Sequence, residues 1–388
     1  MANHRAGFSI MDLLISIAIF AIISVAFVTI FVSVVNIQTY EGCQADATQQ
    51  GQFLLQQIGY YTNNARLIDM TSDQATSTVT LRETSSAQDP TTIGLSPNGT
   101  SFTPYITQGS GGAIQFLTSL RSSISNFTAA RHFNIASSAA YGTDSLSGSF
   151  LVVESKSNVS GGAQCYSQAY QFSASVLKPV PKIALVQQTN TSSSNPSVSS
   201  LQVSYPSNNE SGDLLIAVTA NTTTTSVVSV SDTLGNGWSK IGSISYAAYN
   251  EELNVFAAPN AKNGTNTVTA SFAPAGGFAS LFTYEYRGAA TSSSLTASST
   301  QLNPSTQNPS SGSAAPPTST VELLFGVGYN GLTAEVPAAG QGYTLETTSS
   351  LTHAFVEDMN QYVTGPVAAS WIYTNTTPDS SALIVTFR

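Results

Sequence analysis

Reactive side chains are sparse in this chain of 388 residues: charged residues make up 9%, and there are two cysteines and three histidines. The most constrained is Asp12, which lies in the apolar run Phe8 to Val35, FSIMDLLISIAIFAIISVAFVTIFVSVV, with no further acid or base until Glu41. An ionised carboxylate in hydrocarbon costs about 2.5 to 3.5 kcal/mol on insertion scales, so it persists only with a partner or a task. The chemistry open to it is an ion pair with an ammonium group inside a water-free helix bundle. A plain signal anchor, with the acid snorkelling to the interface, is the other reading. Cys43 and Cys165 are oxidisable in an exported chain. They form either a bridge from the helix to the last strand of the first domain or two separate buried thiols.

His353, Phe355 and Glu357 alternate onto one face of a strand and Asp358 falls on the other. With no third ligand at metal spacing and no nucleophile signature, the expectation is a hydrogen-bonded surface pair. Asp232, before the turn LGNG (234–237), is expected to cap that turn in preference to binding calcium, since no run of alternating acids accompanies it. His4 lies near the amino terminus and His132 in the first domain. Gly109 to Gly112, GSGG, opens a strand and not a helix, so it is no phosphate loop. No catalytic residue, metal or cofactor is assigned, and no enzymatic activity is expected.

These side chains need elements to hold them. No Gly or Pro interrupts Phe8 to Val35, which makes one helix of roughly 42 Å, longer than the ~30 Å core of a bilayer. The helix continues in polar dress to Thr62, Asn63 and Asn64. Cys43, Ala47, Leu54, Ile58, Tyr61, Ala65 and Ile68 are spaced near one face, which a globular head should cover. Strand-like runs follow at 77–83, 91–96, 113–118, 124–128, 149–155 and 163–176, with turn residues between them. Pro179 and Pro181 in LKPVPKI exclude helix or central strand, which predicts a short link and a second domain held out from the first.

From Ile183 to Arg388 the pattern is wholly β. Runs such as DLLIAVTA (213–220), LNVFAAP (253–259), LFTYEYRG (281–288), VELLFGVG (321–328) and ALIVTFR (382–388) predict a sandwich or barrel whose last strand pairs near its first. Of Trp238, Tyr246, Tyr249, Tyr284, Tyr286, Tyr329, Tyr343, Trp371 and Tyr373, half must fill its core. The run 291–320, rich in Ser, Thr, Pro and Gln, reads as a mobile surface connection with one or two edge strands.

The order of the amino-terminal features, a small residue ahead of the apolar run in G-F-S-I-M-D-L-L-I-S-I-A-I-F (Gly7 to Phe20), resembles the class III leader of type IV pilins and pseudopilins. The resemblance implies cleavage after Gly7 by a prepilin peptidase and N-methylation of Phe8. It also implies residence in the cytoplasmic (inner) membrane before assembly and then in a cell-surface or extracellular filament. The carboxylate five places past the cut is Asp12, where most of the family has Glu. It would pair with the Phe8 ammonium of a neighbouring subunit, which makes Phe8 and Asp12 the assembly residues. ATQQGQFLLQQIGYYTNNARLID is similar to the helix end of minor pilins. Phrases such as GDLLIAV, VSDTLGNGW, YEYRG and ELLFG resemble the jelly-roll-type β-sandwich of secreted and surface-anchored bacterial proteins, which implies a fold and no one ligand.

The expected fold class is therefore α+β: a long N-terminal hydrophobic helix packed on a small antiparallel sheet, pilin-like, followed by an all-β sandwich of jelly-roll type. The expected boundaries are a leader at 1–7, a membrane or filament-core helix at 8–35, amphipathic helix and β head at 36–178, a Pro-containing linker at 179–182 and the sandwich at 183–388. Twelve basic against 21 acidic residues give a net charge of −9, which repels phosphate backbones and argues against nucleic acid as a partner. Eight Asn-x-Ser/Thr sequons are what so much Ser and Thr produces by chance. The expected function is a minor type IV pilin-like subunit, joined to other pilin subunits through its helix and presenting the sandwich for adhesion. Its ligand would be extracellular and unidentified, with glycans among the options. A filament tip suits so bulky an appended domain. The rival is a pseudopilin of a type II secretion or DNA-uptake machine, and a glycan-active enzyme would need two carboxylates converging in a cleft.

Overall fold

The computed structural model describes residues 10–388 apart from 86, 99–100, 110, 119–121, 137–138, 156–163, 224–226, 332–334 and 375–378. Gly7 and Phe8 lie outside the described residues.

Helix α1, Ile10–Asn64, is one uninterrupted element of 55 residues, about 82 Å long at 1.5 Å per residue. It ends at the Thr62–Asn63–Asn64 step that the sequence marks. Its two halves live in different surroundings. The large apolar side chains from Ile10 to Ile37 are 42% to 79% exposed, whereas Cys43, Ala47, Gly51, Leu54, Ile58 and Thr62 are buried. The buried face is the expected one, with Tyr61 at its margin and Gly51 added. Gly51 belongs there because the Tyr170 ring occupies the space a side chain would take: a Cβ would stand 2.1 Å from it.

The head contains β1 (Leu67–Ile68), β2 (Ala75–Thr76), β3 (Val79–Arg82), β4 (Thr91–Asn98), β5 (Ser101–Gln108), β6 (Gln115–Phe116), β7 (Ser122–Asn134), β8 (Tyr141–Ser155), β9 (Gln164–Ser175) and β10 (Val180–Pro181). They form two antiparallel sheets, ordered β1-β3-β4-β5-β6 and β10-β8-β7-β2 with β9 also on β8. Leu54 and Ile58 of the helix share a core with Leu81, Ile93, Ile106, Ile124, Phe150 and Val152 of the sheets. Strand β5 was not expected, because Pro104 in SFTPYITQ masks its pattern.

The all-β region is a sandwich, and it is doubled. Its first half contains β11 (Ala184–Ser193), β12 (Val198–Ser204), β13 (Leu214–Asn221), β14 (Val227–Asp232), β15 (Ser239–Tyr246), β16 (Glu251–Ala258), β17 (Thr267–Gly276) and β18 (Ala279–Arg287). They form the sheets β11-β18-β13-β16-β15 and β12-β17-β14, the interleaving of two Greek keys. The second half contains β19 (Leu295–Asn303), β20 (Thr320–Asn330), β21 (Ala338–Ala339), β22 (Thr344–Thr348), β23 (Ala354–Val363), β24 (Trp371–Ile372) and β25 (Ser380–Phe387). Its sheets, β19-β25-β20-β23-β22 and β21-β24, repeat the order strand for strand, and bridges from Ser310 and Ala314 to Ser370 and Val367 stand where β12 would be.

The two five-stranded sheets face each other across one core. Leu214, Ile216, Val218, Phe282, Tyr284 and Tyr286 from one half meet Leu323, Phe325, Val327, Leu383, Val385 and Phe387 from the other. Each sheet buries its opposite face within its own half. This is why β13, β18 and β25 read as nearly continuous apolar runs instead of alternating ones. The sandwich departs from two expectations. The last strand, β25, pairs with β19 and β20 and not with the first strand of the region. The 291–320 run does supply an edge strand, β19, but the rest is anchored, with Ser311 and Ala314 buried.

The second domain is not held out from the head. Val180 and Pro181, expected in a linker, pair with Gly142 and Tyr141 as a head strand. Val180 and Ala184 are buried in the head core. The side chain of Asn360 then grips the backbone of Ile183, accepting from its N–H at 3.0 Å and donating to its carbonyl at 2.8 Å. Pro179 and Pro181 stiffen a crossing between two packed bodies.

Candidate functional site

Asp12 is exposed in the first turns of α1. The hydroxyls of Ser16, Thr29, Ser33 and Thr39 each donate to the carbonyl four residues back, at 2.8 to 2.9 Å. A polar side chain satisfied by its own helix asks nothing of the surroundings, so these four residues leave the rod apolar in effect. Asp12 is the residue of the run that cannot be neutralised in this way.

Where the helix meets the head, Cys43 and Cys165 are disulfide-bonded, with Cα atoms 6.2 Å apart. The bond ties α1 to β9, and the Tyr170 hydroxyl of the same strand donates to the Ala47 carbonyl at 3.1 Å.

The His353 group does not assemble. His353 sits at positive φ in the turn before β23, stacked on the Tyr329 ring at 6.5 Å, and burial lowers its pKa. Glu357 is fully buried and accepts from the backbone N–H of Gly340 at 2.9 Å and of Ser370 at 3.2 Å. Burial still pushes its carboxyl up to about 8. The expected surface pair fails because β23 lies in the middle of a sheet covered on both sides. Asp232, by contrast, caps its turn. Its carboxylate accepts from the Asn236 backbone (2.9 Å) and side chain (2.7 Å), from Trp238 Nε1 (3.0 Å) and from Asn266 (3.1 Å). Burial works to raise its pKa, and these hydrogen bonds prevail and hold it below the usual range. Of the aromatic set, Tyr284, Tyr286, Tyr329, Trp371 and Tyr373 are buried, and Trp238, Tyr246, Tyr249 and Tyr343 are half-buried.

Three arrangements escaped sequence reasoning because their members are far apart in the chain. On the open face of the head, His132 joins Asp73 through Nδ1 and Ser147 through Nε2, both at 2.8 Å. This is the connectivity of a nucleophilic triad. The backbone around Ser147 is taken up by pairing to Ala130 and Ser173, so no paired N–H groups are left to receive an oxyanion, and the site is open to water.

The second lies in a crevice of about 180 Å³ where the head meets both halves of the sandwich. Glu346 and Asp358 hydrogen-bond to each other there, and Tyr286 donates to Asp358 at 2.7 Å. Burial raises both carboxyls, and Asp358 raises Glu346 further. Arg66 lies beside them and reaches the carbonyls of Leu185 and, at 3.1 Å, Val186. Two acids in mutual contact are closer than the ~5 Å or more that a glycosidase pair needs. The third is an ion network between head and sandwich. Asp69 meets Arg82 at 3.2 Å and Arg287 at 2.5 Å, and Arg287 also lies 3.8 Å from Asp213.

No family model matches this chain, and neither a curated protein nor a solved structure does.

Proposed function

We propose that the chain is a minor, type IV pilin-like subunit that assembles with other pilin subunits through α1 and carries the doubled sandwich to a filament tip, where it adheres to an extracellular ligand. The division of α1 carries this reading. Its outer half is fastened to the head by packing and a disulfide, while its first half presents a continuous apolar surface interrupted by one acid. Such a surface requires lipid or like helices around it. Among like helices, the ammonium of a processed Phe8 supplies a partner for Asp12, which has no ion pair among the described residues. The role is non-catalytic and needs no cofactor.

Mass spectrometry of the mature amino terminus tests processing: methylated Phe8 is expected, and a chain that still begins at Met1 overturns the reading. Asp12→Ala should remove the subunit from purified filaments while leaving the head folded. Immunogold labelling should fall at filament ends. A null strain that attaches normally but fails in secretion or DNA uptake would move the chain to the pseudopilins.

A further inference from the structure

The head and the first half of the sandwich enclose a second, larger cleft, of about 400 Å³, within the size range of small-ligand sites. Its floor carries Asp213 and Arg287, its head wall Arg131 and the half-buried Phe133, and its rim Glu210 and Ser211. Asp213 is 4% exposed, and its Oδ2 accepts no hydrogen bond, with Arg287 Nε 3.8 Å away; Arg287 Nη1 donates none among the described residues. The two side chains are thus ion-paired beyond hydrogen-bond reach, and a buried acceptor and a buried donor that make no hydrogen bond cost free energy until another group completes them.

The chemistry of that third group follows from the lining. Both guanidinium groups already have acid partners, Arg131 in Asp144 and Arg287 in Asp69, and burial pushes the Asp213 carboxyl up to about 8, so the lining offers no free positive charge to an anion and only the exposed Glu210 to a cation. Arg131 is already committed to Asp144 at 2.7 Å and to the Met70 carbonyl at 3.2 Å, and its guanidinium stacks 5.2 Å from the Phe133 ring centre. A hydroxyl both donates and accepts, so adjacent hydroxyls can give to Asp213 and take from Arg287. Phe133, Met70 and Ala289 offer an apolar wall to a ring of C–H groups. One molecule with an apolar face and hydroxylated edges meets all of these demands.

We propose that the cleft between the head and the first half of the sandwich is a binding site for a neutral sugar. This deepens the adhesive reading by naming its ligand class, and rests on that reading only for the purpose of binding. The full chain in detergent micelles, titrated with the methyl glycosides of glucose, galactose, mannose and N-acetylglucosamine, should show saturation-transfer NMR signals from at least one. The dissociation constant should lie in the range of about 0.1 to 10 mM, ordinary for a single ring in an open site.

Phe133→Ala should weaken that binding about tenfold. Ser211→Trp, at an exposed rim position outside the ion network, should abolish it with the melting temperature unchanged. Failure of all four glycosides to bind overturns the proposal, as does binding that survives Ser211→Trp. Preference for an uncharged, amide-rich peptide over every glycoside would reassign the cleft to protein recognition and also overturns it. Filament incorporation is read separately through Asp12→Ala, so loss of the sugar site leaves the assembly reading standing.

Discussion

Asp69 and Arg287 are separated by most of the chain, yet their side chains meet at 2.5 Å across the junction of head and sandwich. The other oxygen of Asp69 faces the fully buried Arg82 at 3.2 Å. One carboxylate therefore serves two guanidinium groups that belong to different bodies. Removing it leaves Arg82 without its nearer counter-charge, with Asp89 at 3.5 Å as the remaining one. Asp69→Ala should cost about 3 to 5 kcal/mol, the range for breaking a buried pair. It should also split a single calorimetric transition into two as the bodies uncouple.

Reducing the Cys43–Cys165 bond, or replacing both cysteines with serine, reopens a loop of 122 residues. A cross-link of that span is worth about 2 to 5 kcal/mol. Chemical denaturation with and without reductant measures it. The expected midpoint shift is downward, with the Cys43 turn of α1 released from β9 before the sheets unfold.

Gly51→Ala tests the helix-to-head contact. The Tyr170 ring must move or the helix must lift, and overpacking of this kind costs about 1 to 3 kcal/mol. Pairing the change with Tyr170→Leu should restore part of the loss, although the hydrogen bond to Ala47 is forfeited.

The buried acids set the pH dependence. Burial alone pushes Glu251 up to about 9, from an ordinary value near 4.5. The folded state thus holds a proton that the unfolded state releases above pH ~4.5. The stabilisation is fully present below that pH and is lost as pH rises through about 9. Glu357 acts in the same direction up to about 8. Melting temperature should fall between pH 5 and 9. Glu251→Gln, which keeps the shape without the charge, should be about as stable as the parent at pH 4 and more stable than it at pH 8, by the order of a few kcal/mol. Equal slopes for parent and variant across that window would remove Glu251 as the cause.

Local signals carried much of this molecule. The Asp12-bearing run, the stop at Thr62 to Asn64 and the spacing of Cys43, Ala47, Leu54 and Ile58 depend on neighbours within two turns, and all can be read along the chain. The turn cap at Asp232 is equally local. The doubling was open to inspection as well: Asp213 to Asn221, DLLIAVTAN, and Glu322 to Asn330, ELLFGVGYN, share length, an opening acid, a Leu-Leu pair and a closing Asn. Their shared strand order resides in the pairing of the sheets and not in these residues alone. Asp69 with Arg287, Arg66 beside Asp358, and the cleft at Asp213 join residues more than a hundred positions apart, and no periodicity records such meetings. His353 and Glu357 misled for the converse reason. Alternation gives a shared side of a strand but says nothing about whether that side sees water.

The position of the Cys43–Cys165 bond governs how the molecule would carry tension. A pull on the sandwich passes through β10 and β9 to Cys165, and from there across the sulfur atoms into the helix at Cys43. Residues 44–164, which include both long strands β7 and β8 and the whole β1-to-β6 sheet, lie outside the taut path. The head can be strained at its rim without being drawn out, and the chain stays bonded end to end by a route far shorter than its sequence.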